Sequence, residues 1–108
     1  MGTKGDKLTP VSQAAAEQLV SRLAKVEGIS AKKMFGGHGI FHQGKMFGIV
    51  DSKGNVYFKV NDSSYKKYAE QDSHKHGKMP YYSVPVKVLE NEVTLLEWAW
   101  ESIEISKL

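Results

Sequence analysis

Apolar and polar positions repeat with a period near two through residues 32–60, KKMFGGHGIFHQGKMFGIVDSKGNVYFKV, and with a period near 3.6 on either side of that stretch. Gly44 and Gly54 divide it into three runs rich in aromatic and β-branched residues, which predicts three consecutive strands in a meander. A two-residue turn at Gln43 and Gly44 joins the first pair, and a longer connection over residues 51–55, with Gly54 left-handed, joins the second. Strict alternation puts Met46 and Val50 on one face of the middle strand and Phe47 and Ile49 on the other. In the last strand Val56, Phe58 and Val60 share a core face, which leaves Tyr57 and Lys59 on an amphipathic outer face.

The flanks read as helix. Residues 1–8 form a polar tail, Thr9 is an N-cap and Pro10 opens a helix that runs towards Val26, with Ala15, Ala16, Leu19, Val20, Leu23 and Val26 on one side and Gly28 as the stop. After the meander, Asn61 and Asp62 cap a short helix through Ser64, Tyr65, Tyr68 and Ala69. QDSHKHGKM is the most polar stretch and reads as a flexible loop, and residues 81–84 form a further strand ended by Pro85. Asn91 caps a last helix whose Leu95, Leu96, Ala99 and Ile103 lie on one face, flanked by Trp98 and Trp100. The predicted fold is α+β in two layers, one domain over residues 9–108. An antiparallel sheet, the meander plus one or two further strands, is packed on one face by the N- and C-terminal helices, with Val56, Phe58 and Val60 meeting Leu19, Leu23, Leu96 and Ile103.

Composition narrows the picture. At 108 residues the chain is long enough to bury roughly two thirds of its unfolded surface without staples. The absence of cysteine removes disulfides, thiolate zinc sites and cysteine nucleophiles, and fits a reducing cytoplasm. No apolar run is long enough to span a bilayer and the N-terminus lacks a signal-peptide core, so the expected location is cytoplasmic. Net charge is +1 over residues 1–31, +6 over 32–87 and −4 over 88–108. The basic middle attracts anions, but Arg22 is the single arginine, and an almost all-lysine surface is a poor reader of phosphates and base edges.

Candidate chemistry is sparse. FGGHG leads from one strand towards another rather than into a helix, so Gly36, Gly37 and Gly39 read as a bend or bulge at the sheet rim and not as a phosphate loop. His38 and His42 share strand parity, and His74 with His76 could reach one ion, but without carboxylate or thiolate partners they read as exposed histidines; no metal or cofactor is expected. Ser63, Ser64, Ser73 and Ser83 fall in caps, loops or strand ends, and the acids gather on the last helix, so no catalytic residue is assigned and an enzyme is not expected. Tyr57 beside Lys59 suits either a single-strand nucleic-acid platform or a subunit interface. The surplus of apolar and aromatic groups at Phe47, Ile49, Tyr57, Val93 and Trp100, with Lys59 beside Tyr57, marks an interaction surface, with a homodimer as the leading expectation.

Five motifs in order carry a family resemblance: Met34-Phe35-Gly36-Gly37, Met46-Phe47-Gly48-Ile49, Val56-Tyr57-Phe58-Lys59-Val60, Tyr82-x-x-Pro85 and Leu95-Leu96-x-Trp98-Ala99. Across residues 12–105 the chain resembles the N-terminal domain of the TfoX/Sxy family. Gly48 departs from the family's usual alanine, and the chain reads as a stand-alone domain where larger competence regulators continue into a second one. The resemblance implies an antiparallel sheet flanked by helices, no cofactor, no catalytic residue, and a bacterial regulatory domain associated with competence for DNA uptake, acting on a protein partner. A weak, salt-sensitive nucleic-acid binder is the alternative.

Overall fold

A computed structural model describes residues 10–34 and 36–108, so the expectations for residues 1–8 and Thr9 lie outside the described residues. Five antiparallel strands follow one another in space as they do in sequence: β1 (Ile29–Met34), β2 (Gly37–His42), β3 (Lys45–Val50), β4 (Val56–Lys59) and β5 (Tyr81–Ser83). The predicted first run is therefore two strands. Gly36, at φ +80°, closes a hairpin in which Met34 faces Gly37, so the glycine-rich segment is a turn within the sheet. Gly37 serves a different need: a Cβ there would stand 2.1 Å from the Val50 carbonyl oxygen.

The register slips once. Ile40 pairs with Gly48 and Phe41 with Met46, leaving Phe47 as the extra residue of a β-bulge. Alternation consequently breaks at this point. Phe47 turns to the core, fully buried with its ring centroid 5.8 Å from that of Phe58, whereas Met46 lies with Ile49 on the opposite face. The expected pairing of Phe47 with Ile49 on one face is corrected accordingly.

Helix α1 (Pro10–Arg22) lies over β1 and β2, and α4 (Glu92–Ser106) over β3 and β4, both on the same face of the sheet. Their buried Leu19, Leu23, Leu95, Ala99 and Ile103 join Ile40, Phe47, Val50, Val56, Phe58 and Val60 in one core, with Leu96 packed at its margin. The first helix stops four residues short of Val26, because the Leu23 amide is shared between the carbonyls of Leu19 and Val20 as the turn tightens. Val26 is still buried, and Gly28, at φ +85°, redirects the chain into β1. Asn61 Oδ1 accepts from the Ser63 and Ser64 amides and sets up α2 (Tyr65–Ala69), which a Lys67–Glu101 ion pair and the Tyr68–Trp98 ring contact tie to α4. A four-residue helix, α3 (Val86–Leu89), follows Pro85 where no element was expected. Asn91 Oδ1 accepts from the Thr94 amide at 3.0 Å and caps α4 as its residue type predicts. Among the described residues no helix is long and apolar enough to cross a membrane.

Candidate functional site

Opposite the helices, a row of cross-strand neighbours runs Gly39, Ile49, Tyr57 and Ser83. The predicted loop does not leave this face open. His74 and His76 bind the β5 backbone, with the Ser83 amide donating to the His74 carbonyl at 2.9 Å and the His76 amide donating to the Tyr81 carbonyl at 2.8 Å. Their imidazoles then stand edge-on to Tyr57, at centroid distances of 5.6 and 4.7 Å. Tyr57 is left 4 % exposed, so it is no surface platform, and Lys59 is half-buried beside its partner Tyr81.

The phenol of Tyr57 donates to Asp51 Oδ2 at 3.1 Å and lies 3.2 Å from His74 Nε2. A phenol has one proton, and with that proton given to the carboxylate the Nε2–H of His74 must be the donor in the second bond. Asp51 also accepts from the amides of Lys53 and Asn55 and from the Asn55 side chain, the pattern expected of a 51–55 connection organised by its first residue. Burial raises the pKa of this carboxyl, but the hydrogen bonds from Asn55, Tyr57 and Lys53 outweigh it and hold the pKa below its ordinary value. Burial and then the Asp51 bond push the Tyr57 phenol up to about 12. A neutral phenol held this way is a structural clamp rather than a base or nucleophile near neutral pH.

The clamp sets a pH dependence. The lowered carboxyl contributes stability above about pH 4 that is lost as pH falls through the folded pKa. The raised phenol contributes stability that is complete below about pH 10 and is lost as pH rises towards 12. Tyr57→Phe should cost about 1 kcal/mol at neutral pH. Melting curves taken between pH 9 and 12 should fall less steeply for it than for the wild type; equal slopes would show that the Tyr57 proton is not held.

Beyond His76 the same face opens into a cavity of about 230 Å³ whose lining includes Met34, Met46, Met79, Ile49, His38, His76 and Asp51. Gly39 makes room for two of these side chains, since a Cβ there would stand 2.5 Å from the Met34 sulfur and 2.9 Å from the Met46 sulfur. A second groove, of about 460 Å³, separates α1 from β1 and β2 and is lined in part by Gln13, Glu17, Lys33 and His38. His38 Nδ1 bonds Ser12 Oγ at 3.0 Å, but Ser12 is fully buried, so the pair pins α1 to β2 and offers no nucleophile to the groove.

His38 and His42 do share a face, as parity predicts, but it is the helix face and both are buried; His42 stands edge-on to Trp100, 5.7 Å between centroids. Among the described residues no three His, Asp or Glu side chains converge as metal ligands. Of the surface proposed from sequence, Phe47 and Tyr57 are interior, Ile49 and Lys59 are half-buried, and Val93 and Trp100 stand exposed on one flank of α4. Sequence singles out neither Ser12 as the partner of His38 nor Asp51 and His74 as the partners of Tyr57; the polar turn SKGN after Asp51 is the one local signal.

Comparison with protein-family models matches residues 21–106 to the TfoX N-terminal domain. No curated protein matches the chain.

Proposed function

The chain belongs to the TfoX N-terminal domain family, and from that premise we propose that it is a non-enzymatic regulatory domain of the bacterial cytoplasm that acts by binding protein in the control of competence. The observation that supports binding is Trp100, 43 % exposed, with Val93, 67 % exposed, two helical turns before it. Half-exposed tryptophans on a firmly docked helix are the usual anchors of protein interfaces. Burial of Tyr57 beneath the histidines removes the aromatic stacking surface that the nucleic-acid alternative required.

A second copy of the chain is the partner this flank fits. Glu97 and Glu104 are exposed at helical spacing around Trp100, while the exposed Lys45 is the cross-strand partner of His42, whose ring meets that tryptophan. A patch carrying an apolar centre and both signs of charge is self-complementary about a two-fold axis. Sedimentation velocity at concentrations on the order of tens of micromolar should therefore reveal a dimer. Trp100→Ala should weaken it at least about tenfold, Lys45→Glu should weaken it as well, and Lys45→Glu combined with Glu97→Lys should restore it. A monomer throughout this range would end the proposal.

A further inference from the structure

Three of the chain's four methionines reach the same cavity from separate parts of the sequence: Met34 from the end of β1, Met46 from β3 beside the bulge, and Met79 from the segment before β5. Long unbranched thioethers are common gap-fillers, yet here they border open volume instead of closing it. Two of the sulfurs also converge on one point, the place over Gly39 where any other residue would carry its Cβ. A second donor type is present. His76 lines the cavity, and its Nδ1 is shielded from water with no hydrogen-bond partner among the described residues. Such a nitrogen is costly to leave unpaired.

We propose that this cavity, formed by Met34, Met46, Met79 and His76, is a binding site for a soft monovalent cation, Cu(I), for which Ag(I) is the redox-stable stand-in. Thioether sulfur is the donor that selects Cu(I); imidazole serves copper and zinc alike, but Zn(II) sites complete their shell with thiolate, carboxylate or further imidazole, and Mg(II) and Ca(II) call for carboxylate, carbonyl or water oxygens. The single carboxylate of the lining, Asp51, is already engaged by Lys53, Asn55 and Tyr57. The thioethers bring no negative charge, which favours a singly charged ion over a divalent one. Methionine's three rotatable bonds let the sulfurs close on the ion without movement of the sheet. The bulge contributes directly: by carrying Phe47 into the core it brings Met46 round to the side of Met34 and Gly39. The site is independent of the α4 flank, so its fate and that of the dimer are separable.

The test is a titration of the full chain with silver nitrate in chloride-free buffer, followed by NMR of methionines labelled with 13C at the ε-methyl. One equivalent of Ag(I) should shift three of the four methyl signals together and leave that of Met1 in place, and the melting temperature should rise. Anaerobic competition against a Cu(I) chelator should give the same stoichiometry, and Zn(II) should produce neither effect. Met46→Leu with Met79→Leu conserves volume, and its circular dichroism should match the wild type. Its Ag(I) affinity should fall by at least about 100-fold, the upper end of the loss seen when only an outer partner of a metal site is removed. His76→Gln should weaken binding while leaving the three methyl shifts coupled. No saturable binding, binding unchanged in the folded double-leucine variant, or a shift confined to Met1 would overturn the assignment.

Discussion

Phe47→Ala should lower the unfolding free energy by about 3–5 kcal/mol, a large share of the roughly 5–15 kcal/mol that holds a domain of this size together. The side chain is fully buried between the sheet and α4, packed against Phe58, and its removal leaves a cavity that β3 cannot collapse into because Gly48 and Val50 are held by both neighbouring strands. In urea the midpoint should move while the slope stays constant, and the melting temperature should drop on the order of 15 °C. Ile49→Ala, two residues along on the half-buried outer face, should cost well under half as much. The opposite ranking would mean that strict alternation continues through β3 and that the bulge is misplaced.

Gly37→Ala should be nearly as damaging for a different reason. The added methyl would meet the Val50 carbonyl oxygen at 2.1 Å and the Asp51 Cα at 3.1 Å, and both obstacles are backbone of the adjacent strand end. No rotamer relieves such a contact; β2 and β3 must part, and the Asp51 connection that clamps Tyr57 moves with them. Overpacking ordinarily costs about 1–3 kcal/mol, and a backbone obstacle places this substitution at the upper end, near 3 kcal/mol. Gly44→Ala is the control, because it has the left-handed φ of +85° but nothing within 4 Å, so it should cost about 1 kcal/mol of backbone strain alone. Thermal melts of the two variants side by side decide the matter. Equal losses would show that conformation rather than close approach fixes Gly37.

The parts of the fold legible from sequence are those governed by local period or local capping. The stripe of Leu19 and Leu23, the Asn91 cap, the turns at Gly44 and Gly54 and the shared face of Val56 and Phe58 all depend on residues a few positions apart. The bulge was hidden because it is a relation between two strands: nothing in KMFGIV says that Ile40 will meet Gly48 while Phe41 meets Met46. The first hairpin was concealed by its glycines, which read equally as a kink within one strand or a turn between two. Polarity misled at His74 and His76, since a polar segment can cover a sheet face when its backbone binds the edge strand and its rings stack on a tyrosine. The Ser12–His38 bond joins residues 26 positions apart, and no spacing rule reaches that far.

The strand order has a kinetic consequence. Every strand pairs with its neighbour in the chain, and β1 with β2 and β2 with β3 are each joined by a two-residue turn. Little loop-closure entropy must be lost before these hairpins form, and contacts so local favour rapid folding. The covering of the sheet follows a different schedule. Helix α4 lies beyond β5 in the chain, yet it is the layer that seals β3 and β4, so Phe47 and Phe58 have no roof until the last element docks. The same connectivity that lets the sheet assemble early thus leaves its most aromatic region open longest, and the interval before α4 closes is when a nascent chain of this sequence is most exposed to misassociation.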